Sequence, residues 1–119
     1  MEKPTFFIGK ELSDKTRQWL HRQQIEYIEQ PLQRIEKLIA GAFDGYLFFS
    51  PSDITEFKSS GNFPHPNSLV FANQNITARA AWTYFTNKVH TSPDSDELLF
   101  VQYSIYRWMN ENRYMGEHI

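Results

Sequence analysis

The chain has 119 residues, 40% hydrophobic and 16% aromatic, with a formal net charge of −2. These figures describe one globular domain and exclude a disordered chain; acids and bases are interspersed, so no basic face offers itself to DNA or RNA. Cysteine is absent, which excludes disulfides and thiolate-ligated metals.

The opening Met1–Ile8 has neither the basic start nor the long apolar run of a secretory signal. No apolar run reaches membrane-spanning length. The expectation is a cytoplasmic protein with no membrane partner. Phe6, Phe7 and Ile8 follow Pro4 and predict a first strand. Leu12, Thr16, Trp19 and Leu20 then recur at helical spacing over about 12–24. Ile25–Leu32 reads as an extended edge strand ended by Pro31. Residues 34–40, with Ile35, Leu38 and Ile39, predict a short helix.

Gly45–Phe49 is an apolar run with the length and aromatic content of a buried strand. It enters a helix over about 51–59 within one turn. Ser50 suits the N-cap and Pro51 the first helical position, while Asp53 stands three residues after Ser50, as in a capping box. A helix beginning at the carboxyl end of a parallel strand presents free N–H groups and a positive dipole end, where an anion can be held without a charged side chain. An ordinary strand-to-helix connection that binds nothing has the same local sequence.

Gly61–Asn67 is dense in breakers and predicts a loop. Ser68–Ala72 is the fourth strand. Thr77–Phe85 is helical, with Ala78, Ala81, Trp82 and Phe85 on one side, and Lys88–Thr91 is a short fifth strand. Ser92, Pro93 and the acids after them are expected to open the last helix. Its apolar face is Leu98, Val101, Ile105, Trp108 and Met109, and it is expected to fray from about Glu111.

Strands alternating with helices point to an α/β domain with a parallel sheet covered on both faces. Right-handed crossovers favour a single flavodoxin-like three-layer domain, five strands in the order 2-1-3-4-5. Ligand sites in that topology lie at the carboxyl ends of the strands, which collects residues 9–11, 50–53 and 73–77.

Several chemistries of this architecture lack their motifs. There is no Gly-x4-Gly-Lys-Ser/Thr around Gly9 and Lys10, no Gly-x-Gly-x-x-Gly fingerprint and no Gly-x-Ser-x-Gly elbow. A phospho-accepting receiver needs an acid where Ser50 stands. His21, His65, His90 and His118 share no i, i+3 or i, i+4 spacing, so no metal site has a local signature. His90 reads as a satisfied residue at the end of the fifth strand, and Asp94, Asp96 and Glu97 as an acidic first-turn cap. What is left is a rim of hydroxyls and amides, among them Ser50, Ser52, Asn73, Gln74, Asn75 and Thr77, suited to hydrogen-bonding carboxylates.

Asp44–Phe57 resembles the "D-x-hydrophobic-x-F-x-S-P-S-x-hydrophobic-x-x-F" segment of the uroporphyrinogen-III synthase family. Ile76–Ala80, after Ser68–Ala72, is similar to the family's "I-G-x-T-T-A-x-A" turn. The likeness is to the C-terminal half of that enzyme, and residues 5–35 resemble the strand–helix–strand unit preceding it. It implies one of two flavodoxin-like lobes around a cleft, and an enzyme of haem biosynthesis that cyclises the linear tetrapyrrole hydroxymethylbilane with no metal or cofactor. The substrate-binding positions it implies are Ser50, Pro51, Ser52, Gln74, Asn75, Thr77 and Ala78; it assigns no catalytic residue here. The chain departs from the family in being half as long, in carrying Gln74 where the second motif has glycine, and in having Gln33 near the place of a tyrosine thought to assist loss of the hydroxyl group. Two expectations follow: a half-length synthase completed as a C2 homodimer, or a non-catalytic module that binds a linear tetrapyrrole, another polycarboxylate or a protein.

Overall fold

The computed structural model describes residues 4–30, 43–93 and 96–117. Strands β1 (Thr5–Ile8), β2 (Glu26–Glu29), β3 (Gly45–Phe48), β4 (Leu69–Asn73) and β5 (Val89–Ser92) form one parallel sheet in the order β2-β1-β3-β4-β5. Helices α1 (Asp14–Arg22), α2 (Pro51–Ser59), α3 (Gln74–Tyr84) and α4 (Glu97–Glu117) cover it. The chain is a flavodoxin-like α/β domain. The helix expected over 34–40 and the end of the second strand at Pro31 lie outside the described residues.

Two cores follow from the period-two alternation of side chains along each strand. Phe6, Ile8, Leu47 and Phe71 point to one face and pack with Leu12, Trp19 and Leu20 of the α1 segment and with Phe100, Val101 and Ile105 of α4. Phe7, Tyr46, Phe48 and Val70 point to the other, beneath Ile54 and Phe57 of α2 and Ala81 and Phe85 at α3. The central strands are apolar at successive positions because both faces are covered. Edge strand β2 alternates exposed Glu26 and Ile28 with half-buried Tyr27 and Glu29.

Four expected boundaries shift. Helix α3 starts at Gln74 rather than Thr77, and Trp82 lies 57% exposed while Ala78, Ala81 and Phe85 are buried. Thr77 takes the remaining inward position, which turns Trp82 to solvent. Ser92 belongs to β5, paired with Asn73, instead of opening the last helix. The cap of α4 is Asp96, whose Oδ2 accepts the Leu99 N–H at 2.9 Å; Asp94 lies outside the described residues. Helix α4 continues through Glu117, past the expected fraying point. Among the described residues, no helix is long and apolar enough to cross a membrane.

Two helices end alike with different residues. After α1, Gln24 has φ 57°, its N–H donating to the His21 carbonyl at 3.0 Å and that of Ile25 to the Leu20 carbonyl at 3.1 Å. After α2, Gly61 has φ 79°, and the N–H groups of Gly61 and Asn62 donate to Lys58 and Phe57 at 2.8 and 3.3 Å. Both are Schellman ends with a left-handed C′ residue. Glutamine is strained in that conformation and glycine is not. Gln24→Gly is therefore expected to raise stability by about 0.5–1 kcal/mol, read as a higher urea midpoint at unchanged slope; a lower midpoint refutes it.

Candidate functional site

The carboxyl ends of β1, β3 and β4 bring together the segments that the topology predicted. Gly9 donates its N–H to the Leu47 carbonyl at 2.7 Å. A Cβ on Gly9 would lie 2.8 Å from that oxygen and 3.1 Å from the Asp53 Cβ, so the turn after β1 packs against the start of α2 only because the residue is glycine. Gln30, 3% exposed, closes the same junction: its Nε2 donates to the carbonyls of Gly9 at 3.2 Å and Asp53 at 3.0 Å. On the other side, the Thr77 hydroxyl donates to the Phe49 carbonyl at 3.3 Å, tying the α3 turn to the α2 turn.

At the first turn of α2, Ser50 is the N-cap in extended conformation and forms the expected capping box with Asp53. The acid is the stronger half. Asp53 Oδ2 accepts the N–H groups of Phe49 at 2.8 Å and Ser50 at 3.1 Å. Burial raises the Asp53 carboxyl above the ordinary aspartate range, and those hydrogen bonds with the nearby Lys10 charge pull only partly the other way. The Ser50 hydroxyl is engaged with that of Ser52 at 2.8 Å on the exposed side. The inner amides of this turn are thus already taken by a carboxylate of the chain itself.

Helix α1 repeats the arrangement with a distant partner. Glu97 Oε2 accepts from Ser13 N at 3.1 Å, Ser13 Oγ at 2.6 Å and Thr16 Oγ1 at 2.5 Å. Its Oε1 pairs with Lys10 Nζ at 2.9 Å. Burial works to raise the Glu97 carboxyl, but the hydrogen bonds from Ser13, Thr16 and Lys10 outweigh it and hold it at about 2. Glu29 accepts the Leu12 N–H at 2.7 Å and is gripped by Arg17 through Nε and Nη2, each at 2.8 Å. Burial again opposes, and Arg17 and Leu12 prevail, lowering the Glu29 carboxyl. Lys10 faces Glu97 and Asp53, its ammonium 4.9 Å from the centre of the Phe49 ring.

The second turn of the candidate rim has a different character. Gln74 adopts φ 67°, a conformation suited to glycine, at the start of α3. Gln74 and Asn75 are exposed, whereas Thr77 and Ala78 are buried at 1% and 0% exposure. Thr77 and Ala78 therefore shape the turn from within, and Ser50, Ser52, Gln74 and Asn75 reach its surface. Asn73, 6% exposed, has no hydrogen-bond partner for its Oδ1 among the described residues. Pro51 is half-buried at the first position of α2.

Sequence reading named Asp53 as a cap and Glu97 as a first-turn acid, yet missed that Glu97 serves α1 and that Glu29 and Gln30 complete the rim. His90 lies within β5 rather than at its end. Two open clefts lie along α1 and β2, and each takes one member of the Arg17–Glu29 pair into its lining. One, of about 580 Å³, is lined by His21, Gln24, Ile25, Glu26, Tyr27 and Glu29; the other, of about 530 Å³, by Asp14, Arg17, Gln18, His21 and Arg22. No group of three or more His, Asp or Glu side chains able to hold a metal ion occurs among the described residues. Comparison of the chain with protein-family models, with curated proteins and with solved structures finds no match.

Proposed function

We propose that this chain is a single-lobe relative of the uroporphyrinogen-III synthase family that holds a polycarboxylate, a linear tetrapyrrole in the first instance, at the N-termini of α2 and α3, and that one copy alone does not cyclise it. The observation that carries this reading is the juxtaposition of the two strand-to-helix turns on neighbouring strands, joined by the Thr77–Phe49 hydrogen bond. They are the two segments on which the resemblance rests. Gln74 adds support: it stands at the glycine position of the second motif and takes a conformation suited to glycine. Exposed Ser52, Gln74 and Asn75 supply neutral donors on the outer side.

Asp53, Glu29 and Glu97 argue against deep engulfment of a polyanion by this lobe, because all three carboxylates stand close to the rim. A grip on the outer hydroxyls and amides suits a ligand that touches several points at once. Cyclisation needs the tetrapyrrole held from both sides, which calls for a second lobe; a C2 homodimer is the form in which the same chain would supply it.

The test uses uroporphyrin III, a stable closed tetrapyrrole bearing carboxylates, in equilibrium binding, with hydroxymethylbilane in a product-isomer assay. Saturable binding by the wild type is expected. The double change Ser52→Ala with Asn75→Ala should weaken it about tenfold, the loss of one or two neutral hydrogen bonds. Absence of saturable binding, or an unchanged affinity in the double variant, refutes the rim. Type III isomer above the spontaneous background from a monomeric sample refutes the non-catalytic part.

A further inference from the structure

Strand β5 carries one ionisable side chain into the interior beneath α4. His90 is 7% exposed and its ring stacks on Phe71 of β4, 5.5 Å between centroids and 26° between planes. Nε2 lies 3.1 Å from Glu111 Oε1 without the alignment of a hydrogen bond. That carboxylate is already shared: Arg107 Nε is 3.4 Å and Lys88 Nζ 3.8 Å from the same oxygen. Among the described residues, the charged groups facing His90 are thus Arg107 and Glu111 from α4 and Lys88 from the approach to β5, while β4 presents the apolar Phe71.

A proton on His90 would place a third cation around one carboxylate. Burial disfavours the imidazolium, Glu111 favours it, and Arg107 and Lys88 repel it. Burial is the largest of these and sets the outcome, so His90 is held below the ordinary histidine range. The geometry points to His90 as an acid-sensitive latch: neutral, it lies stacked on Phe71 in the closed seam between β5 and α4; protonated, it is a buried third cation whose charge is relieved by opening that seam. A histidine whose folded form binds its proton less readily than its unfolded form contributes full stability above about pH 6.5. That contribution is lost as pH falls from there towards the lower folded value, because the loosened state takes up the proton first.

The experiment follows the His90 imidazole by NMR from pH 8 to pH 4, with unfolding free energies and α4 amide exchange measured for wild type, His90→Phe and Glu111→Gln. The wild-type midpoint is expected below 6.5, with up to tenfold loss in the folding equilibrium constant per pH unit within the window. His90→Phe, which keeps the ring stack and removes the proton site, should flatten that slope and the accompanying rise in exchange at 105–111. A midpoint at or above 6.5, or an equal slope in His90→Phe, overturns the latch. Where His90→Phe fails to fold, Glu111→Gln decides: removing the one attractive charge must lower the His90 midpoint further, and an unchanged midpoint overturns the proposal.

Discussion

Phe7→Ala is expected to remove about 3–5 kcal/mol of stability, the range for truncating a large aromatic side chain in a packed core. Phe7 is fully buried, and its ring meets those of Phe43, Tyr46, Phe48 and Phe57 at centroid distances of 5.8, 6.1, 6.2 and 4.7 Å. Phe48, Phe57 and Phe85 already hold one another at 5.5 to 6.4 Å, which resists their collapse into the gap. A domain of this size has about 5–15 kcal/mol in total, so the variant loses a large share of it and should unfold at a much lower urea concentration. Urea unfolding followed by far-ultraviolet circular dichroism measures it; a loss below about 1 kcal/mol would mean that this face is loosely packed. Phe7→Leu, which keeps most of the buried volume, should cost less than half as much.

The second large effect concerns the rim. Asp53→Ala is expected to cost about 2–4 kcal/mol, because the N–H groups of Phe49 and Ser50 lose their shared acceptor where water reaches them poorly. Asp53→Asn keeps a side-chain oxygen in place and should cost about 1 kcal/mol. The ordering of the two variants is diagnostic. Equal losses would show that charge rather than hydrogen bonding holds the turn, contrary to the burial that raises this carboxyl. Ser50→Ala, by contrast, removes the N-cap hydroxyl of the capping box, which also meets Ser52, and should cost about 1 kcal/mol.

Most of the sheet was legible because β1, β3 and β4 are short apolar runs, and crossover handedness leaves few orders for five strands. Local signals were read well: Ser50, Pro51 and Asp53 act within one turn, so spacing alone announced them. The misplacements also have local causes. Trp82 looked inward because tryptophan is apolar, but Thr77 competes for the same face and wins it with a hydrogen bond to Phe49. Ser92 and Pro93 imitate a helix start, yet pairing with β4 draws Ser92 into the sheet.

The rim was legible only in part, since its decisive contacts join residues far apart in sequence. Glu97 reaches Ser13 across 84 positions, and Glu29 reaches Arg17 across 12. Periodicity carries no trace of such pairs. Gln74 is a different case: nothing about a glutamine announces a left-handed backbone, and only alignment with a glycine-bearing motif could suggest it.

Asp53 gives the α2 turn a built-in competitor. An acid held in the same turn, three to four residues from the amides that it caps, acts at an effective concentration on the order of millimolar or higher. An outside carboxylate must displace it to reach the Phe49 and Ser50 amides, and a lone small acid at lower concentration loses that exchange. If the turn holds a ligand as proposed, it would discriminate by how many groups a visitor brings, and only secondarily by what each group is.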